Sequence, residues 1–119
     1  MSNIAKGLLA ASLMVLSIAS SHAQVVALGA SNTAGKGVGS SSAYPAQLES
    51  ILRAKGRPMF VSNAGVSGDT TAGMLSRLAS AVPTGTRIVV LQFGGNDRRR
   101  GVSGDQRQAN IAEIQKQLR

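Results

Sequence analysis

Cysteine and tryptophan are absent from this chain, and its one histidine, His22, stands near the amino terminus. Without cysteine there can be no disulfide, no thiolate-ligated metal and no lipidated N-terminal cysteine. A lone imidazole excludes a histidine-cluster metal site. Aromatic residues make up only 3% of the chain. That leaves little to stack on bases, so a single-stranded nucleic-acid partner is not expected. Acidic residues are also few, with 5 Asp and Glu against 13 Lys and Arg, and the formal net charge is +8.

What is present fits one small domain. The chain has 119 residues, of which 43% are hydrophobic, and 14 glycines mark many tight turns. Such a length supports a single core, built here from Val, Leu, Ile, Ala and Met.

The amino terminus has its own character. Lys6 is the only charge before the apolar stretch 7–20, and Ser21-His22-Ala23 places small residues at the first and third positions. A positive start, an apolar middle and a small-x-small site form the layout of a secretory signal peptide cleaved after Ala23. The apolar run is shorter than the ~20 residues needed to span a bilayer. The expected organisation is therefore a leader over 1–23 and one domain over 24–119. Cleavage would remove His22 and leave no histidine in the exported chain.

From residue 24 onward, strand and helix patterns alternate. An apolar β-branched run, 24–28, stops at Gly29 and is followed by Ser31 in a turn of small residues. A flexible loop (35–42) leads to a helix expected from about Ala43, with Ser41 or Ser42 as its cap and Pro45 in its first turn. Tyr44, Leu48, Ile51 and Leu52 share one helical face, and Gly56 supplies the stop. A second strand is expected over 59–63. Thr70 or Thr71 then caps a helix carrying Met74, Leu75 and Leu78, ended by Val82-Pro83. The third strand, 86–93, has a continuous apolar centre that predicts burial on both faces. A last helix from about Asp105 carries Ile111, Ile114 and Leu118 on one side. Three strand–helix units predict an α/β fold with a parallel sheet, right-handed crossovers and the first strand in the middle.

In such a sheet the loops after the three strands meet at the carboxyl edge, where ligands bind. One loop carries Ser31, one Gly68 and one Asn96. Acyl transfer needs a nucleophilic hydroxyl and donors aimed at the oxyanion. The N–H of Ser31, the N–H of Gly68 and the side-chain amide of Asn96 are candidates for those donors. Glycine suits a backbone that approaches substrate closely, with positive φ. Asp69 and Asp97 read as loop or cap residues. Gly35-Lys36 comes close to a phosphate-binding G-x-x-x-x-G-K-[ST] motif, but Ala30 and Gly37 replace its first glycine and its hydroxyl, so nucleotide binding is not expected.

The segments GASNTAG (from Gly29), NAGVSGDTT (from Asn63) and FGGND (from Phe93) resemble, in order and spacing, the first three sequence blocks of the SGNH (GDSL-type) hydrolases. The likeness is to the bacterial lysophospholipase, thioesterase and arylesterase branch. The resemblance implies a flavodoxin-like three-layer α/β/α domain, no metal, no cofactor, and hydrolysis of small acyl esters, thioesters or lipids through an acyl-enzyme. By it Ser31 is the nucleophile, and Gly68 and Asn96 complete the oxyanion hole. Two features depart from the family pattern. Ala30 stands where an acid usually precedes the nucleophile. The family's Asp-x-x-His pair, whose histidine is the base, lies beyond the region this chain covers.

The expected function is thus an exported, periplasmic or secreted serine esterase represented by its N-terminal portion, with little activity on its own. The alternative is a non-catalytic remnant of that fold that contacts anionic envelope lipids or glycans through Arg98, Arg99, Arg100 and Arg107. Edman sequencing or intact mass of the exported protein should place its first residue at Gln24. Retention of residues 1–23 would contradict the leader.

Overall fold

The computed structural model describes residues 24–119, so the leader assigned to 1–23 lies outside the described residues. Three parallel strands form one sheet in the order β2-β1-β3, with β1 at Val25–Gly29, β2 at Val61–Gly65 and β3 at Ile88–Leu91. The first strand is central, as expected, and all five of its residues are buried. Successive side chains of a strand point to opposite faces. Burial of the whole strand therefore means that both faces of the sheet are covered.

The order of the strands explains how. The chain moves from β1 outward to β2, then crosses back over β1 to reach β3. Right-handed connections running in opposite directions place their helices on opposite faces. Helix α2 (Tyr44–Ala54) belongs to the first connection and packs on β2. Helices α3 (Thr71–Ser76) and α4 (Leu78–Ala81) belong to the second. The final helix, α6 (Gly104–Gln117), packs beside α3. On this face Leu28, Ala30, Met74, Leu78 and Ile114 form the buried core, with Val89, Leu91 and Phe93 packed against it. Two single-turn helices, α1 (Ser31–Ala34) and α5 (Asn96–Arg99), follow β1 and β3 at the carboxyl edge.

Several local expectations shift. Strand β2 starts two residues later than 59, and it ends on Gly65, which pairs in register with Gly29. Before it, the Phe60 carbonyl accepts hydrogen bonds from the N–H groups of Gln24 and Val25. The cap of α2 is Ala43 and not a serine, because Ser40–Ser42 form their own 3₁₀ turn and the Ser42 carbonyl is engaged by Gln47 Nε2 at 2.8 Å. Thr70 does cap α3, accepting from the Gly73 N–H. The single helix expected through Val82 breaks at Arg77. Ser76 Oγ donates to the Gly73 carbonyl at 2.8 Å and competes for the acceptor of the Arg77 N–H, a pattern that bends helices.

Strand β3 is shorter than 86–93 and is not buried on both faces. It lies at an edge of the described sheet, where Ile88 is 49% exposed. A hollow of about 560 Å³ runs along this edge between the 82–87 segment and the end of α6. Ser31, Gly68 and Asn96 line no part of it.

Two glycines make room for the turn that follows β1. A methyl on Gly29 would collide with the Thr33 side chain, and a methyl on Gly65 would collide with the backbone of Thr33 and Ala34. The second collision is the harder to relieve, because helical backbone cannot swing aside as a rotamer can. Gly65→Ala should destabilise the protein by about 1–3 kcal/mol, the usual cost of overpacking. Gly94→Ala, where nothing lies within 4 Å of the added carbon, is the matched control. Urea unfolding midpoints decide it: equal midpoints for the two variants would refute the close packing of α1 on β2.

Candidate active site

The chain runs outward from β1 to β2, whereas β3 lies on the other side of β1. The carboxyl ends of β1 and β3 therefore flank the point where the winding reverses, the customary position of a ligand crevice in open α/β sheets. A cavity of about 120 Å³ opens there. Ser31 and Asn32 line it from the β1 side; Gln92, Gly95, Asn96 and Arg99 line it from the β3 side. Ser31 and Asn96, chosen from sequence, are thus brought to one cavity. Gly68 is not part of its lining, but it sits one residue before Asp69, whose carbonyl accepts a hydrogen bond from Asn96 Nδ2 at 2.8 Å.

Ser31 opens the α1 turn and is half-buried. As the first residue of a helical turn, its N–H has no intrahelical acceptor and is available as a donor. The turn closes at Gly35 (φ +90°), whose N–H donates to the Ser31 carbonyl. Thr33, fully buried below, holds the turn in place: its Oγ1 donates to Gln92 Oε1 at 2.7 Å, and its carbonyl accepts from Asn63 Nδ2 at 2.9 Å. Those two bonds tie the Ser31 turn to β2 and to the residue that follows β3.

Asn96 is held at both ends of its amide. Nδ2 donates to Asp69 O, and Oδ1 accepts from Arg99 Nη1 at 3.2 Å. A side-chain amide carries two N–H donors. One is fixed by Asp69, and that bond orients the other. Gly68 has φ +81°, the left-handed conformation that favours glycine, while the only atom near an added Cβ would be Arg100 Nη2 at 3.5 Å. Backbone conformation, not space, makes glycine necessary at this position.

The two aspartates that read as loop or cap residues bind the loops together. Asp69 Oδ1 accepts from the Thr70 N–H, and Oδ2 pairs with Arg77 Nε at 2.7 Å. Arg77 Nη2 reaches on to the Gly29 carbonyl at 3.0 Å, which joins the loop after β2 to the end of β1. Asp97 is buried. Its Oδ1 accepts from the Thr71 N–H at 2.8 Å, and its Oδ2 accepts from Thr71 Oγ1. Asn110 Nδ2 donates to the same Thr71 hydroxyl at 3.0 Å, and Gln106 Nε2 donates to Asn110 Oδ1.

Sequence reasoning missed Arg77, Gln92 and Thr33. Gln92 carried one usable signal, since it is a polar residue near the end of an apolar strand. Arg77 carried none, because its role depends on a helix break.

Electrostatically the site is cationic. Three consecutive arginines at the end of α5 and its cap diverge to separate places. Arg99 lines the Ser31 cavity, Arg100 lies over Gly68, and Arg98 lines a neighbouring hollow. Positive charge around the candidate oxyanion donors favours charge build-up on a bound carbonyl oxygen.

Residues 27–119 match the model of the GDSL-like lipase/acylhydrolase family. Esterase TesA of Pseudomonas aeruginosa is 36% identical over 96 residues, which cover 80% of this chain and 48% of TesA. Among solved structures, AlinE4, an SGNH-hydrolase family esterase, superposes with a TM-score of 0.72 at 38% identity, over 82% of this chain and 53% of AlinE4. Esterase EstA from Pseudoalteromonas sp., in a structure inhibited by monoethylphosphonate, gives 0.71 at 26% identity, over 78% of this chain and 51% of EstA. The chain spans about half the length of these relatives. On its sequence blocks, its parallel three-stranded sheet and these matches, the chain belongs to the GDSL-like lipase/acylhydrolase family of SGNH hydrolases.

Proposed function

We propose that this chain carries the nucleophile and oxyanion donors of an exported serine esterase that hydrolyses acyl esters or thioesters. Ser31 Oγ attacks the carbonyl carbon, and the developing oxyanion is received by the N–H groups of Ser31 and Gly68 and by Asn96 Nδ2. Collapse of that intermediate passes the serine proton to the departing oxygen or sulfur, expels the alcohol or thiol and leaves an acyl-serine, which water then hydrolyses to release the acid and regenerate Ser31. The observation that carries this reading is the cavity shared by Ser31 and Asn96, with the Asn96 amide held by Asp69 and Arg99. Lysophospholipids, aryl esters and short-chain thioesters are the substrate classes that the sequence resemblance favours.

No histidine occurs from Gln24 to Arg119. Within those residues the serine hydroxyl lacks an imidazole base, and serine at its own pKa is a weak nucleophile. Loss of a triad member leaves about 10³- to 10⁴-fold catalysis over water, from binding and the oxyanion hole. Residues 24–119 alone are therefore expected to turn over slowly.

A fluorophosphonate probe tests the assignment without requiring turnover. Slow labelling should occur at Ser31, disappear in Ser31→Ala, and slow by about 10²-fold in Asn96→Ala, the usual effect of losing one oxyanion donor. Supplying the C-terminal half of a TesA-type relative should accelerate it. Labelling that survives Ser31→Ala would overturn the nucleophile.

A further inference from the structure

Beside the Ser31 cavity lies a second hollow, of about 360 Å³, lined by Gly94, Gly95, Arg98, Val102, Gly104 and Arg107. Its volume falls within the range of small-ligand pockets. Gly94 and Gly95 belong to both cavities. No atom lies within 4 Å of a Cβ built on Gly94, Gly95 or Gly104, so no side chain crowds the rim that the two cavities share. The lining is predominantly apolar, and Arg98 and Arg107 are its only charged residues. Such side chains bury the stem and present the charge.

These two charges have no carboxylate partner. Among the described residues the only ion pair joins Arg77 to Asp69. Asp97, next to Arg98 in sequence, is buried and committed to Thr71. Asp105 is exposed and does not line the hollow. Arg107 is half-buried, and its Nη2 lies 3.5 Å from the Gly94 carbonyl. That contact keeps the guanidinium at the wall shared with the Ser31 cavity and leaves its other donors unused. A planar guanidinium fork suits phosphate or carboxylate oxygens.

We infer that this hollow is an anion subsite. It takes the phosphate or carboxylate of an ester substrate whose carbonyl lies at Ser31, with a short apolar spacer crossing Gly94 and Gly95. The esterase reading supplies only what the anion is attached to; the binding itself stands without it.

The test is an NMR titration of the chain at low salt with mono-n-butyl phosphate, with n-butanol as the uncharged control. Butyl phosphate should shift the amides of Gly94, Gly95 and Gly104 saturably, and n-butanol should not. Arg98→Gln and Arg107→Gln, made separately, should each weaken binding about tenfold, the cost of a lost charge-assisted hydrogen bond. Inorganic phosphate and anionic phosphatidylglycerol vesicles identify the source. Tighter binding of butyl phosphate than of inorganic phosphate supports a substrate-borne group, and equal affinities support the anion subsite with free phosphate as its ligand. Binding confined to vesicles, or shifts spread over all exposed arginines and unaffected by either substitution, would overturn the proposal. Butyl phosphate binding with no Ser31 labelling, even when the C-terminal half of a TesA-type relative is supplied, would sink the esterase reading alone; labelling without binding would sink the subsite alone.

Discussion

The bond between Asp97 and Thr71 is the constraint on which the site's geometry depends. Thr71 is the first residue of α3, directly after the loop that holds Gly68 and Asp69, and Asp97 follows Asn96 in the α5 turn of the connection after β3. A buried carboxylate accepting both the N–H and the hydroxyl of one threonine fixes these loops to each other. Hydrogen bonds to a charged group contribute about 1.5–3 kcal/mol each. The Asp69–Arg77 pair is partly open to solvent, with side chains 11% and 23% exposed, and is worth less. Asp97 is therefore the fully buried link between the loops. Asp69 supplies direction, because its carbonyl orients the Asn96 amide and its carboxylate aims Arg77 at Gly29.

The rest follows from where the sheet reverses its winding. A central strand buried on both faces delivers Ser31 beside the end of β3, and the cavity opens between them. Gly65 lets the Ser31 turn lie directly on β2, and Thr33 then ties it to that strand and to the residue that follows β3. Charge is layered onto that frame by Arg98 and Arg99 of α5 and by Arg100, which caps it. Being exposed, they act through local potential that salt screens, not through fixed pairs.

Much of this was legible in the residues. The run ending at Gly29 announced a buried central strand, and the placement of Ser31 and Asn96 after apolar strands put both at the carboxyl edge. Gly68 was readable as a residue needing positive φ. Other features were hidden because they depend on tertiary partners. Nothing local distinguishes Asp97, buried and structural, from Asp69, which is paired with a distant arginine. The break at Arg77 arises from competition between Ser76 Oγ and a backbone N–H for one carbonyl, which hydrophobic periodicity does not report. The apolar run of β3 suggested burial on both faces, yet β3 is an edge of the described sheet. Its Ile88 side chain is half-exposed.

The central claim, that Asp97 clasps the loops after β2 and β3, is tested most directly by hydrogen exchange at the Thr71 amide. An amide at the first position of a helix has no intrahelical acceptor and exchanges quickly when nothing else binds it. The account predicts that Thr71 exchanges as slowly as the amides of β1. Exchange at the rate of an unbonded helix-start amide would contradict it.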